Sequence, residues 1–214
     1  MPSLPAATIT EMTDRGHGDR LVYDTERERF GAGRFGMILF LGSVAILFIA
    51  TILAVLAIRL DDNAWPLELP PMPIAVWVST GLLLISSLTL QWGVAASRHD
   101  SVGTVRITML LTLALGIGFL ISQTIGWFDW NAAIQAMIDR DEAAGLAATG
   151  FHVLTGIHAL HVLGGLIPLT VITFVVLLGA WEAGRSRGIH YMAMYWHFLG
   201  IIWLALLVTL LLVL

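Results

Sequence analysis

Five long apolar runs constrain this chain more than any other feature of its sequence. Each is roughly 18 residues or longer, which is the length that an α-helix needs to cross the hydrocarbon core of a bilayer. With 57% hydrophobic and only 12% charged residues, the chain carries about half the charge of an ordinary soluble domain. We therefore predict an all-α integral membrane protein with five transmembrane helices, at about residues 35–58, 74–96, 105–127, 149–178 and 192–214.

The arginines outside these runs predict how the chain is oriented in the membrane. Residues 1–34 form a polar arm without the apolar stretch that a signal peptide needs. If this arm is cytoplasmic, all the basic residues except Arg59 and Arg140 fall on the inner side. Cytoplasmic loops of membrane proteins retain arginine in this way. We predict a cytoplasmic arm over residues 1–34, a five-helix domain over residues 35–214, an N-terminus inside and a C-terminus outside.

Two kinds of residue that carry chemistry are missing from the interior of the apolar runs. The chain has no cysteine, which excludes disulfides, iron–sulfur clusters and thiolate-bound metals or hemes. The central thirds of the five runs contain no Asp, Glu or Arg. Ion pumps and transporters normally need such groups inside the membrane, so ion transport by this chain alone is disfavoured.

Histidines inside the fourth and fifth runs are the polar side chains that most require an explanation. His158 and His161 lie three residues apart, and His197 stands in the fifth run. Imidazoles on two helices can hold a b-type heme, or they can contact neighbouring helices and lipid head groups. Their depths disfavour heme, because His158 lies roughly 13 Å below the outer start of its run and His197 lies near the opposite side. On composition, Tyr195-Trp196-His197 is expected to be an interfacial anchor.

The residues around these histidines resemble a known family. The run Thr155 to Val162, T-G-I-H-A-L-H-V, resembles the T-G-x-H-G-x-H-V signature of subunit III of heme-copper oxidases, which use cytochrome c or quinol. Tyr195 to Trp203 is similar to the family's Y-W-H-F-x-D-x-V-W stretch, and the segments Gly36–Ser43 and Gly118–Trp127 match other family stretches in outline. The resemblance covers nearly all of the chain from residue 31 onward. Five helices match the shorter bacterial form of the family.

This resemblance implies a fold and a role. The fold would be a two-helix bundle and a three-helix bundle that form a V-shaped cleft for structural phospholipid. The role would be that of a non-catalytic accessory subunit in a bacterial inner membrane, without a redox centre of its own, that supports proton uptake and stability during aerobic electron transport. It would pack directly on subunit I, alongside subunit II and small subunits, with heme and copper held by those partners and no nucleic acid bound.

The resemblance also suggests which side chains of this sequence contact lipid or neighbouring helices, while no catalytic, cofactor-binding or metal-ligating residue is assigned. These lipid-contacting or structural residues are Thr155, His158, His161, Tyr195, Trp196, His197 and Gln123.

Three acids of the family pattern are replaced in this chain, which marks it as a divergent member. Val44, Gly126 and Gly200 stand at these positions. Two alternatives therefore remain open. One is a subunit-III-like protein of a nitric oxide reductase or another respiratory assembly. The other is a five-helix b-type cytochrome that anchors a complex through His158, His161 and His197.

Overall fold

The computed structural model of the protein describes residues 7–60, 70–99, 101–138, 142–179 and 187–213, and most side chains from residue 31 onward. The described part is helical, and it contains five helices long and apolar enough to cross a membrane. The all-α fold class and the five transmembrane helices are therefore confirmed. The helices are α1 (Ala7–Arg59), α2 (Ile74–Arg98), α3 (Val102–Ile138), α4 (Glu142–Leu177) and α5 (Arg187–Val213).

The helices are longer than the apolar runs predicted. Helix α1 includes most of the predicted arm, and the cytoplasmic position of that arm stays a prediction. The alanine-rich stretch at residues 131–145 is divided between the end of α3 and the beginning of α4. No proline interrupts this stretch, and alanine favours helix, so each helix extends beyond its apolar part. Helix α4 continues through Pro168.

The contacts along the chain define two units, Met1–Gly42 and Ser43–Leu214. In the first unit, the described side chains belong to α1 and are mostly exposed, as Phe35 illustrates. The second unit contains the rest of α1 together with α2 to α5. Here Val44, Phe48 and Val55 of α1 are buried in one apolar cluster with residues of α4 and α5. This stripe of α1 follows helical spacing, as expected of the face that meets the other helices.

Helix α2 is packed most extensively against α3 and also contacts α5, while α4 contacts both α3 and α5. The hydroxyls of Thr89 and Thr112 join α2 to α3 at 2.9 Å. Gly93 allows close approach there, because a Cβ at this position would lie 2.8 Å from Oγ1 of Thr108. Helices α2 to α5 therefore form one bundle, which differs from the predicted division into two-helix and three-helix bundles. The physical reason is that small and hydroxyl side chains let α2 approach α3 closely.

Helices α4 and α5 approach closely where two consecutive glycines face a tyrosine. The Tyr195 hydroxyl donates to the carbonyl oxygen of His161 at 2.7 Å, which places its ring against Gly164 and Gly165. A Cβ on Gly165 would lie only 2.6 Å from Cε1 of that ring and 3.2 Å from Cδ1 of Leu199. The ring is fixed by its hydrogen bond, so it has little freedom to move away. The glycine pair thus sets the spacing of the two helices.

We expect Gly165→Ala to destabilise the protein by about 1–3 kcal/mol, the usual cost of overpacking. Gly156→Ala on the same helix is the matched control, because a Cβ there meets nothing within 4 Å. The control variant should be as stable as the wild type or slightly more stable, since alanine favours helix more than glycine does. Thermal unfolding of the two detergent-solubilised variants checks this difference. Equal melting temperatures for both would contradict the close α4–α5 contact.

Candidate functional site

A cavity of about 280 Å³ lies between α3 and α4 at the end of the bundle where α2 begins and α5 ends. Its walls are mostly aromatic and aliphatic, with contributions from Phe119, Trp127, Phe151 and Trp203. Apolar walls with a few polar groups are typical of sites that bind small molecules or hydrocarbon chains. The polar side chains among the lining residues are Gln123, Thr124, Thr155 and His158.

His158 differs from the other polar lining residues because its imidazole has no hydrogen-bond partner in the described part of the chain. The side chain is 3% exposed, and neither Nδ1 nor Nε2 is bonded. Aromatic rings surround it, with centroid distances of 6.3 Å to Phe48, 6.2 Å to Phe119 and 5.1 Å to Trp203. Leaving a buried polar group unpaired costs about 1–3 kcal/mol. His158 therefore differs from Gln123, Thr124 and Thr155 because both of its ring nitrogens are buried without a partner among the described residues.

The other polar groups of the cavity are already bonded within the protein. The Thr124 and Thr155 hydroxyls donate to the carbonyl oxygens one turn earlier in their own helices, at 2.8 and 2.7 Å. The Gln123 amide donates to Oγ of Ser79 on α2 at 2.6 Å. These bonds occupy both threonine donors and one of the two N–H donors of Gln123, and the last of them fixes α3 to α2. Gln123 and Thr155 are therefore bonded to the helices, whereas neither ring nitrogen of His158 has a partner in the described part of the chain.

His161 and His152 are also bonded to their own helix. The Nδ1–H of His161 donates to the carbonyl of Ile157 at 2.8 Å, and that of His152 to the carbonyl of Ala148 at 2.6 Å. The ring of His161 lies edge-on to Phe48, at a centroid distance of 5.2 Å. The ring of His152 lies edge-on to Trp127, at a centroid distance of 5.1 Å, so both imidazoles pack against aromatic rings.

Two indole N–H groups of α5 donate to hydroxyls of α2. Nε1 of Trp196 donates to Oγ of Ser86 at 2.9 Å, and Nε1 of Trp203 donates to Oγ1 of Thr80 at 3.0 Å. Trp196 is 1% exposed, so the expectation that it anchors the chain at the membrane interface is wrong. The reason is its position well inside α5, on the side that faces α2. There the indole is satisfied by Ser86 and not by lipid head groups.

His197 lies on a different side of α5 from the cavity. Its Nε2 is 3.2 Å from Oε1 of Gln91 on α2, and it is not among the residues that line the cavity. Among the described residues that line the cavity, His158 is the only histidine. The described side chains therefore do not bring His197 together with His158 as the two axial ligands of a heme. Among the same residues, no group of three His, Cys, Asp or Glu side chains is suitably placed for a metal ion.

Several side chains that position this site were missed in the sequence. The hydroxyls of α2 bond to both neighbouring helices, and the presence of these hydroxyl side chains in one apolar helix was the signal that could have found them. They are Ser79, Thr80, Ser86 and Thr89. The aromatic surroundings of His158 carried no such signal, because Phe48, Phe119 and Trp203 are brought together from three helices.

The positions that lack the family's acids are occupied by packing residues. Val44 is buried in the cluster that joins α1 to α4 and α5. A Cβ on Gly126 would lie 3.3 Å from Cγ2 of Val76, and one on Gly200 would lie 3.8 Å from Oγ of Ser87. At Gly126 the helices are therefore closer together than a carboxylate side chain would allow without movement.

We expect His158→Ala to destabilise the protein by about 3 kcal/mol, because it leaves a hole among three aromatic rings. His158→Phe keeps the ring and removes two unpaired nitrogen atoms, so its stability should stay within about 1 kcal/mol of the wild type. Denaturant or thermal unfolding of protein purified without added lipid compares the two. An equal loss of stability in both variants would show that the imidazole nitrogens bond to the protein, contrary to the structure.

Comparison with known proteins agrees with the resemblance seen in the motifs. A family model described as "Cytochrome c oxidase subunit III" matches residues 25–213. The chain is 29% identical over 196 residues to cytochrome c oxidase subunit 3 of Thermostichus vulcanus, which covers 91% of this chain and 94% of that protein. It is 30% identical to the Synechocystis protein of the same name, over 80% of this chain and 72% of the relative.

A probable cytochrome c oxidase subunit 3 of Nocardia farcinica is 28% identical over 176 residues, which is 81% of this chain and 84% of that protein. The family match extends from within α1 to the last residue of α5, and so includes every helix that lines the cavity. The chain belongs to the cytochrome c oxidase subunit III family.

Proposed function

We propose that this chain is the accessory, non-catalytic subunit III of a heme-copper terminal oxidase in a bacterial inner membrane, and that it packs directly on the catalytic subunit I. The observation that carries the proposal is the family match over residues 25–213, which includes all five membrane-spanning helices found in the described part of the chain. The multi-pass fold suits a subunit that contributes its whole length to a membrane complex.

The chemistry of the chain supports a role without electron transfer of its own. The sequence has no cysteine, and the central thirds of its apolar runs have no acidic residue. The imidazoles of His152 and His161 are bonded to backbone and that of His197 to Gln91, while that of His158 has no partner in the described part of the chain. Heme and copper therefore belong to the partner subunits in this proposal, with subunit II and small subunits completing the complex.

Structural lipid is the occupant that best fits the cavity. Its aromatic and aliphatic walls suit an acyl chain, and the imidazole of His158 can donate to an ester carbonyl or hydroxyl of the same molecule. A bound lipid would thus satisfy a polar group that the described part of the protein leaves unpaired. This proposal assigns lipid contact to His158 and packing to Thr155, Gln123, His161, Tyr195 and Trp196.

Support of proton uptake is indirect in this proposal. The acids of the family pattern are replaced by Val44, Gly126 and Gly200, so the chain has no carboxylate at these positions to carry protons. It would act by keeping lipid and subunit I in place during turnover. The same replacements make a nitric oxide reductase-like assembly the second candidate host.

We predict that the tagged chain, purified from its native membrane in mild detergent, brings with it a large subunit with heme-copper absorption. The spectrum and mass spectrometry of the partners identify the host, because an oxidase contains copper and a nitric oxide reductase contains non-heme iron. Purified alone, the chain should be colourless. A heme band from the isolated chain would instead support the b-type cytochrome alternative.

A second prediction concerns lipid. His158→Phe should lower the amount of phospholipid retained by the purified complex, because the donor to the lipid is lost. Gly156→Leu should do the same by placing bulk beside the cavity, since Gly156 lines it and has open space at Cβ. Quantitative lipid mass spectrometry of complexes with equal subunit content measures this. Unchanged lipid in both variants would contradict the lipid assignment and leave the family role intact.

A further inference from the structure

A polar pair lies on the outer surface of the bundle, at the seam between α2 and α5. Gln91 and His197 bond to one another through Oε1 and Nε2, at 3.2 Å. Gln91 is exposed, and His197 is half-buried. Gln91 lies seven residues before Arg98, and His197 lies ten residues after Arg187. At 1.5 Å per residue, the pair is roughly 10–15 Å from that end of the helices, inside the apolar spans Ile74–Arg98 and Arg187–Leu212.

The bond between the two side chains uses only part of their hydrogen-bonding capacity. A carboxamide has two N–H donors besides its oxygen, and an imidazole has a second ring nitrogen. Strongly polar side chains inside a membrane are costly and normally face a protein or a water-filled cavity. Acyl chains offer no hydrogen-bonding group at this depth. The exposed side of the pair therefore requires a protein neighbour that carries polar groups.

Four hydroxyl side chains of α2 and α3 do not have this requirement. The hydroxyls of Thr80, Ser86 and Thr89 are buried between helices, and the exposed hydroxyl of Thr124 donates to its own helix at Leu120. A short hydroxyl side chain can satisfy its donor in this way in hydrocarbon. The amide and imidazole of the seam are joined instead across two helices. This sets them apart from the hydroxyls that face lipid.

Apolar side chains continue the surface along both helices of the seam. Leu84 and Leu88 on α2 and Ile201 on α5 are exposed, the last two by 70% and 66%. A strip of leucine and isoleucine with one polar pair inside it matches what another transmembrane helix presents, because such helices associate through packing and a few hydrogen bonds. The pair would then fix the register of the contact.

We propose that the seam of Leu84, Leu88, Gln91, His197 and Ile201 is the surface on which a transmembrane helix of the catalytic subunit docks. That helix presents a hydrogen-bond acceptor to the amide of Gln91. The proposal rests on the function proposed above, since it requires that this chain has a catalytic partner in the membrane.

The test places a photo-crosslinking amino acid at position 88 in the seam, within the native complex. The control carries the same group at Leu160 of α4, which is 69% exposed and lies away from the seam. We expect crosslinks to the catalytic subunit from position 88 and not from position 160. Crosslinks to that subunit from position 160 alone, or from neither position, overturn the docking surface.

A second measurement uses Gln91→Leu combined with His197→Leu. The double variant should recover about threefold to tenfold less catalytic subunit per chain, the effect of losing one or two interhelical hydrogen bonds in a membrane. The amount of the chain itself in the membrane is the control for folding. If the wild-type chain recovers no catalytic subunit at all, the proposed function fails. If the wild type and the double variant recover equal amounts, only the docking surface fails.

Discussion

The packing of the helices depends on indole N–H groups that donate hydrogen bonds to hydroxyl oxygens, because hydrocarbon contains no water to take their place. Trp196 and Trp203 of α5 donate to Ser86 and Thr80 of α2, and each hydroxyl donates in turn to a carbonyl of its own helix. In hydrocarbon an unpaired indole N–H would carry its full desolvation cost. Because both bonds link the same two helices in antiparallel order, they fix the register of α5 on α2. The packing of α3 and α4 on this pair then follows.

The same need for a hydrogen-bond partner draws attention to two other polar sites, His158 and the pair of Gln91 and His197. His158 is buried among aromatic rings, and no described residue bonds to it. Gln91 and His197 are bonded to one another but lie at the outer surface of the seam. One of these sites faces a cavity inside the bundle and the other faces outward. Together they agree with a subunit whose polar requirements are completed by lipid on one side and by a partner protein on the other.

Much of the fold was readable from the sequence, because transmembrane helices need long apolar runs and those runs are obvious in a chain of this composition. The motif around His158 and His161 identified the family for the same reason, since polar residues are rare in such runs. Helix ends were less predictable. Helices α3 and α4 continue beyond their apolar parts, where alanine keeps the backbone helical without the help of hydrocarbon.

The grouping of helices and the surroundings of the site could not be predicted from the runs alone. The approach of α2 to α3 depends on Gly93 and Gly126, where a single missing Cβ decides the distance. The burial of Trp196 depends on which side of α5 faces Ser86, and the expectation of an interfacial anchor considered only composition. The isolation of His158 depends on rings from three helices. These features depend on how the helices pack against each other, and the periodicity of one helix does not predict that packing.

We propose that this chain contributes packing surfaces and a lipid site, and that redox chemistry takes place in its partner. A cryo-electron microscopy map of the complex purified from native membranes would show both directly. We expect heme density in a neighbouring subunit and elongated lipid density beside His158. Heme density held between histidines of this chain, with no catalytic neighbour, would contradict this proposal.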